Sequence, residues 1–361
     1  MQSLIKPTRL LIFLFLLFGG LYYARTVLIP LAFGGLLAAL FSSLSDRLEK
    51  KGLSRAVAAL LCLVCFVLVI AGFVLLIAWQ SSDLFSDIAG IKERVNSFID
   101  QARQFISTKF GIEPQQQKAM LDKQSSGAGG VSSTVTKVLD TLMGVAVDLI
   151  LMLVYAFLLL YLRNHIKKFV LRLVDKDQRP ETLTVIEESS QVAQHYLTGL
   201  FTMISLLWVM YGIGFTIVGV KQAIFLAILC GLLEMIPFVG NLTGASLAIL
   251  VNLAQGSDTQ VLLGIVIVYG IVQFTQTYLL EPLVVGSEVS INPLFTILVI
   301  VVGETVWGVS GMILALPALG VVKVICDHVD PLKPIGFLIG EEDRKKSPGL
   351  ADKFKKLFGK S

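Results

Sequence analysis

The sequence predicts an all-α polytopic membrane protein with about eight transmembrane segments. Hydrophobic residues make up 55% of the 361-residue chain, and the mean hydropathy is +0.79. Soluble domains contain only about 45–50% apolar residues. The apolar residues are also collected in runs of about 20 or more, the length that an α-helix needs to cross a bilayer.

The apolar runs define the order of the segments. We place them at residues 9–29, 28–44, 56–79, 139–162, 200–220, 222–254, 260–280 and 293–325. The first run follows Lys6 and Arg9, as it would in a signal peptide, but no small-residue cleavage site follows it. Because the next apolar run begins at once, we expect an uncleaved first helix.

The chain divides into six predicted regions. In order, these are N-terminal transmembrane helices (1–80), an extracytoplasmic amphipathic helix with a flexible linker (81–138), a transmembrane helix (139–163), cytoplasmic amphipathic helices (164–199), a motif-rich core (200–325) and a basic tail (326–361). Short loops rich in lysine and arginine stay in the cytoplasm. Because residues 45–55, residues 163–179 and the tail are basic, we expect both termini to be cytoplasmic.

The sequence gives no sign of enzymatic chemistry. The four cysteines lie in or beside apolar runs, and the three histidines are scattered singly. The chain has no G-x-x-x-x-G-K-[ST] loop that would bind ATP. We therefore expect no enzyme activity, no metal, no cofactor and no nucleic-acid partner. The expected partners are the lipid bilayer and a small polar solute or a monovalent cation and proton.

Two apolar runs, 222–254 and 293–325, are too long for one span of about 20 residues and contain helix-breaking residues. Proline removes a backbone donor, and glycine permits sharp changes of direction. The breaking residues are Pro237, Gly240 and Gly244 in the first run and Gly303, Gly308 and Gly311 in the second. Each run therefore predicts a helix interrupted near its middle.

Polar residues accompany these breaks. Backbone that leaves a helix inside a membrane must find partners in protein or water, so broken helices line cavities that bind ions or polar solutes. Ionisable residues within membranes are therefore functional candidates. The candidates are Glu234, Asn241 and Thr243 in the first broken run, Glu304 in the second, and Gln273 and Glu281 on one face of the helix between them, which Pro282 ends.

Each broken run follows a predicted span, 200–220 or 260–280. If both runs are re-entrant hairpins, the two preceding spans cross in opposite directions and the core is an inverted repeat. If both runs cross fully, the chain has eight spans, and in either case the tail ends in the cytoplasm. We favour hairpins, because each half of a run, about 15 residues, falls short of a full span.

The stretch GLLEMIPFVGNLTGA (Gly231–Ala245) resembles the E-x-I-P-x-[VI]-G signature of the autoinducer-2 exporter family, also called the PerM-type permeases. Residues 281–324 resemble that family's closing block, in which P-x-[VI]-x-G, NPL, G-x-x-x-[FW]-G-x-x-G and A-[IL]-P follow in order. The resemblance extends over nearly the whole chain. The matching positions are Glu234, Pro237, Gly240, Gln273, Glu281, Pro282, Gly286, Pro293, Gly303, Gly308, Gly311 and Pro317.

The resemblance implies a multi-pass protein of a bacterial inner membrane, with about seven or eight spans and a homo-oligomeric assembly. It also implies the export of a small polar molecule, and the signal autoinducer-2 gave the family its name. Some relatives resemble sodium- or lithium-proton antiporters.

Three functions are compatible with these observations. The first is a secondary transporter that exports a small hydrophilic solute, with Glu234, Asn241 and Glu304 along the path and one carboxylate exchanging a proton. The second is an antiporter that uses the same carboxylates for a cation and a proton in turn. The third is a non-transporting membrane scaffold, which predicts that replacement of Glu234 and Glu304 leaves function intact.

Overall fold

The computed structural model describes residues 2–85, 131–236, 239–285 and 291–341. The α-helices are α1 (Gln2–Tyr23), α2 (Arg25–Lys50), α3 (Arg55–Phe85), α4 (Val131–Leu173), α5 (Arg179–Val218), α6 (Ala223–Leu233), α7 (Val239–Ala254), α8 (Thr259–Thr275), α9 (Pro293–Trp307), α10 (Val309–His328) and α11 (Lys333–Ile339). A π-helix (Gln276–Val285) and two short 3-10 helices (Lys176–Gln178 and Asp330–Leu332) accompany them. Apart from one isolated bridge between Ile291 and Gly340, the described residues contain no β-structure. The predicted all-α class is confirmed.

Among the described residues, six helical segments are long and apolar enough to cross a membrane. They are Arg25–Lys50, Arg55–Leu76, Ala146–Leu173, Lys176–Val218, Thr259–Glu281 and Val309–His328. The shorter apolar helices are Ala223–Leu233, Gly240–Leu253 and Pro293–Trp307. The chain is thus a multi-pass membrane protein, as predicted. The apolar run at 9–29 is divided at Ala24, between α1 and α2.

Two of the predicted regions are only partly described. The extracytoplasmic helix and linker (81–138) fall mostly in residues 86–130, and the end of the basic tail falls in residues 342–361. Both stretches lie outside the described residues. At the borders of the first, α3 ends at Phe85 and α4 begins at Val131.

The region predicted as separate cytoplasmic helices, 164–199, consists of the ends of two long helices. α4 continues without a break to Leu173, and α5 begins at Arg179 after a 3-10 turn. Pro180 stands in the first turn of α5, where the helix needs no N–H donor. Gly219 follows the last residue of α5, and its φ of 85° is a left-handed conformation that glycine adopts without strain.

The basic segments meet at one end of the helical bundle, which we call the basic end. Arg163 of α4 donates to Glu49 of α2 (2.8 Å between Nη2 and Oε1) and also pairs with Asp46. α5 and α10 reach the same end through the contacts Gln194 Nε2–Ser43 Oγ (3.0 Å) and His328 Nε2–Glu188 Oε2 (3.7 Å). If the basic segments all lie on the cytoplasmic side, they are expected at the same end of the bundle.

Buried clusters hold the helices together. The largest lies among α5, α6, α7 and α8, and it includes the fully buried Tyr211 and Phe215 of α5 and Ile265 of α8. Smaller clusters join α2, α3 and α4. Gly34 of α2 permits this contact, because a Cβ there would lie 2.9 Å from the Met152 carbonyl oxygen of α4.

The first broken run folds into a hairpin of α6 and α7. The two helices are antiparallel neighbours, and Cys230 Sγ of α6 lies 3.5 Å from the Gly244 carbonyl oxygen of α7. At the tip, Gly240 lies so close to Leu233 that a Cβ would overlap the Leu233 carbonyl. This contact requires glycine at position 240.

The second broken run folds in the same way, with α9 and α10 as its limbs. Gly303 and Gly311 bring these limbs into backbone contact, because a Cβ on either would overlap the backbone of the other. The chain reverses at Gly308, whose φ of 61° and ψ of −142° strain any residue that has a side chain. Trp307 Nε1 donates to the Leu21 carbonyl oxygen of α1 (2.9 Å), which fixes the tip.

The bases of the two hairpins lie at opposite ends of the bundle. At the end where α5 terminates, Lys221 Nζ donates to the Gln255 carbonyl oxygen (3.4 Å). At the basic end, the Asn292 N–H donates to the Ile339 carbonyl oxygen (2.8 Å). Each broken run therefore folds back on itself at its break, and the two hairpins point in opposite directions, as an inverted repeat predicts. Because α10 alone has the length of a membrane span, the re-entrant path of the second run stays a prediction.

Candidate functional site

Glu234 lies at the tip of the first hairpin, immediately after α6 ends. Side chains from outside the hairpin surround its carboxylate. Tyr211 Oη of α5 and Tyr269 Oη of α8 lie 3.4 Å and 3.2 Å from Glu234 Oε1. Gln276 Nε2 of the π-helix lies 3.4 Å from Glu234 Oε2. We call these four residues the tip cluster.

Tyr269 connects the tip cluster to the second limb of the hairpin. Its hydroxyl donates to the Asn241 carbonyl oxygen of α7 (2.6 Å). The Tyr269 ring packs against the Tyr211 ring, with centroids 5.2 Å apart. Gly244 leaves room for the hydroxyl, because a Cβ at Gly244 would lie 2.9 Å from it. The Tyr269 hydroxyl thus holds the first turn of α7 against α8.

The π-helix begins at Gln276, directly after α8. π-Helical turns are rare and are frequently found at functional sites. Gln276 is only 4% exposed, and its Oε1 atom has no hydrogen-bond partner among the described residues. Its side chain also interacts with Glu281, which is exposed. The prediction that Pro282 ends this helix is wrong. The α-helical geometry ends earlier, at Thr275, and the helical segment continues as a π-helix to Val285.

The other predicted polar residues are spread over the structure. Asn241 is half-buried beside the tip cluster, whereas Thr243 of α7 is exposed. Gln273 is half-buried on α8, with its Nε2 atom 3.4 Å from Thr277 Oγ1. Glu304 is exposed on α9, which packs mainly on α10 and α1. Glu234 and Glu304 therefore belong to different hairpins, and Glu281 belongs to the π-helix between them.

The predicted helix-breaking residues fall into three groups. Those that shape hairpin tips or limb contacts are Gly240, Gly244, Gly303, Gly308 and Gly311. Pro317, which the family resemblance implied, is buried inside α10, and α10 continues past it to His328. Pro237 and Gly286 lie outside the described residues.

Sequence reasoning missed Tyr211, Tyr269 and Gln276. A signal for two of them was present, because Ile265, Tyr269, Val272 and Gln276 recur at the spacing of one helix face and are all buried. The face that the sequence predicts is the neighbouring one, with Gln273 of α8 and Glu281 of the π-helix. Tyr211 has no comparable signal, because its place beside Glu234 depends on how α5 packs against the hairpin.

The tip cluster is rich in hydrogen-bond acceptors. The Oε1 atom of Gln273, like that of Gln276, is buried without a hydrogen-bond partner among the described residues. The Glu234 carboxylate and the Gln276 Oε1 atom suit a bound group that offers a hydrogen-bond donor or a positive charge, whereas Gln273 contacts Thr277 on the neighbouring face. Within the described ranges, no three His, Cys, Asp or Glu side chains lie together as metal ligands would.

Opposed hairpins with polar groups at broken helix ends are features of secondary transporters. The family comparison defines the same class, since the family described as AI-2E family transporter matches residues 11–330. The chain therefore belongs to the AI-2E transporter family and is a membrane transporter.

Relatives of similar length support this assignment. The chain is 27% identical to YrrI of Bacillus subtilis (strain 168), whose name describes a transport protein, over 84% of this chain and 87% of the relative. It is 25% identical to YueF of the same organism, over 83% and 84% of the two chains. It is also 27% identical to PerM of Escherichia coli (strain K12), whose name describes a permease, over 88% and 91%.

Proposed function

We propose that the protein is a secondary transporter that exports a small hydrophilic solute, such as an autoinducer-2-like metabolite, across a bacterial inner membrane. The observation that carries the proposal is the tip cluster, in which the Glu234 carboxylate lies at a broken hairpin tip against α5 and α8. Transporters bind substrates and coupling ions at such discontinuous helices. The relatives named for transport or permease activity support the same class.

In this proposal, the solute replaces hydrogen bonds that now close the tip cluster. Solute hydroxyl or ammonium groups donate to Glu234 and to the amide oxygens of Gln276 and Gln273, which have no partner in the described structure. Asn241 and Thr243 border the path at the hairpin. Glu281 is the next acidic group along the helix that follows Gln276.

Proton coupling is a further part of the proposal. A carboxylate at membrane depth is expensive to leave charged and unpaired, so binding and release of a proton by Glu234 would accompany the change of access. Glu304 is proposed as a separate polar group of the path, because it belongs to the other hairpin.

The experiment is a flux measurement in proteoliposomes that contain the purified protein. A labelled polar metabolite, sodium and lithium are added in turn, and solute uptake and proton movement are recorded. We expect Glu234→Gln to abolish metabolite-dependent flux. The matched control is Glu181→Gln, an exposed position at the basic end, which we expect to keep wild-type flux. Undiminished metabolite flux in Glu234→Gln would contradict the role of the tip cluster.

The second candidate function is a sodium(lithium)/proton antiporter. It is favoured by one specific observation, namely that Gln276 connects two acidic residues, Glu234 and Glu281. Carboxylate and amide oxygens can hold a small cation and a proton in turn. Proton flux that sodium or lithium triggers without any organic solute, and that Glu234→Gln removes, would select this function over solute export.

The remaining features of the proposal concern the cellular setting. We propose that both termini are cytoplasmic, because the basic segments share one end of the bundle. We also propose a homo-oligomer that works without a cofactor or metal and has no enzymatic activity. Replacement of both Glu234 and Glu304 without effect on any flux would instead favour the scaffold.

A further inference from the structure

The last three turns of α4 carry an exposed apolar stripe. Arg163 pairs with α2 at the basic end, and α4 continues beyond it to Leu173. The exposed apolar residues of this part are Leu162, Ile166, Phe169 and Leu173. They recur at intervals of three and four residues, so they share one face of the helix. Phe169 and Leu173 are 57% and 69% exposed, and we call the four residues the α4 stripe.

The α4 stripe is not the face by which α4 packs on the protein. Lys167 reaches Glu187 of α5 (3.0 Å), and Arg163 reaches α2. With 3.6 residues per turn, Arg163 and Lys167 point roughly 90–130° away from the centre of the stripe. The protein-facing side is therefore occupied by ion pairs, and the stripe faces away from the bundle.

Basic side chains border the stripe on its other side. His165, Lys168 and Arg172 are exposed and lie between the stripe and the far face of the helix. Unlike Lys167, neither Lys168 nor Arg172 pairs with a carboxylate in the described part of the chain. An exposed apolar face with a basic border is typical of helices that lie at a membrane surface.

We propose that the α4 stripe and its basic border bind anionic phospholipid of the surrounding bilayer. The apolar side chains enter the region where headgroups meet acyl chains, and Lys168 and Arg172 bind the headgroup phosphates. Two observations favour lipid as the occupant. The unpaired basic border complements anionic headgroups, and the stripe is continuous with the membrane span of the same helix, Ala146–Leu173.

A second element at the basic end points the same way. α11 exposes Ile335, Phe337 and Leu338, and Phe337 is 80% exposed. α11 follows α10, whose His328 contacts Glu188 of α5 at the basic end. Large apolar side chains from two elements at one end of a membrane bundle are expected where the end meets the bilayer surface. The inference is independent of the transported solute.

The position of the stripe is tested with a nitroxide label on Phe169→Cys in the full-length protein. The protein also carries Cys65→Ser, because Cys65 is the exposed native cysteine among the described residues. The matched control is Asn164→Cys, exposed on the opposite face of the same helix. Both are reconstituted in phosphatidylcholine vesicles with about one third phosphatidylglycerol, which supplies the anionic headgroups that basic segments bind.

The label at Phe169 should collide with oxygen, which concentrates in lipid, and be screened from a water-soluble nickel chelate. The label at Asn164 should be reached by nickel. Nickel access at Phe169 would place the stripe in water and overturn the proposal. Screening of Phe169 from both reagents would mean that protein covers the stripe, either a second copy or another segment, and would overturn it too.

The basic border is tested by native mass spectrometry of bound phosphatidylglycerol. We expect Lys168→Gln/Arg172→Gln to weaken binding about fivefold for each basic residue, and so about 25-fold for the pair. Phosphatidylcholine binding should not change. The control pair is Lys50→Gln/Lys51→Gln, equally exposed and also at the basic end. Equal loss in both pairs, or no loss in the first, would contradict a site on α4.

Discussion

At the scale of single residues, the Tyr269 hydroxyl has two acceptors but only one proton to donate. The Asn241 carbonyl oxygen lies at 2.6 Å and Glu234 Oε1 at 3.2 Å, so the proton belongs to the shorter contact. Tyr269 therefore ties α7 to α8, and Tyr211 and Gln276 are the donors left for Glu234. The Tyr269 hydroxyl thus contacts the backbone of α7, whereas the Tyr211 hydroxyl donates to the Glu234 carboxylate.

This difference predicts the effect of Tyr269→Phe. The variant removes the hydrogen bond to the Asn241 carbonyl oxygen, and a typical intramolecular hydrogen bond contributes about 0.5–1.5 kcal/mol to stability. We expect a lower midpoint of thermal unfolding in detergent. Tyr278→Phe is the control, because Tyr278 is on the same helical segment and 67% exposed. Equal midpoints for the two variants would show that the Asn241 contact does not stabilise the hairpin.

At the scale of elements, the close approach of α9 and α10 depends on glycine. We expect Gly303→Ala to lower the free energy of unfolding by about 1–3 kcal/mol, the usual effect of overpacking, because the new methyl group meets the Gly311 backbone. The control is Gly270→Ala on α8, where a Cβ meets nothing within 4 Å. It should be neutral or stabilising, since alanine favours a helix. Equal destabilisation of both would exclude a packing role for Gly303.

The elements also show what the sequence could predict. The hairpins were predictable, because Gly308 and the glycines around the first break stand inside apolar runs that are too long for one span. The π-helix was not, since nothing in the spacing of residues 276–285 separates it from an α-helix. Only the structure shows that the π-helix begins at Gln276, whereas the sequence predicted that the helix ends at Pro282.

At the scale of the whole molecule, the basic end predicts the orientation of the chain. A membrane-impermeant maleimide added to right-side-out vesicles should label Thr259→Cys, at the start of α8, and should not label Ser54→Cys, at the basic end. Both positions are exposed. The variants carry Cys65→Ser, and the other native cysteines of the described residues are buried. The reverse pattern would place the basic end outside.

The candidate site is also a property of the whole molecule. Glu234 and the break in its hairpin could be predicted from the sequence. A charged residue close to a proline within an apolar run is energetically unfavourable in a membrane, so it indicates a functional position. Tyr211 and Gln276 come from elements 23 and 42 residues away along the chain, and only packing brings them to the carboxylate. Glu304 remains a prediction, since the structure leaves it exposed on the other hairpin.

The hydrogen bond from Trp307 to the Leu21 carbonyl joins positions that are 286 residues apart. During synthesis, α1 enters the membrane first, yet its contact with the hairpin tip forms only after nearly the whole chain has been translated. Contacts between such distant positions must also overcome the loop-closure entropy of the intervening chain. This contact of α1 thus cannot form before α9 has been synthesised, and a nascent chain arrested before α9 presents a first helix without its partner in the second hairpin.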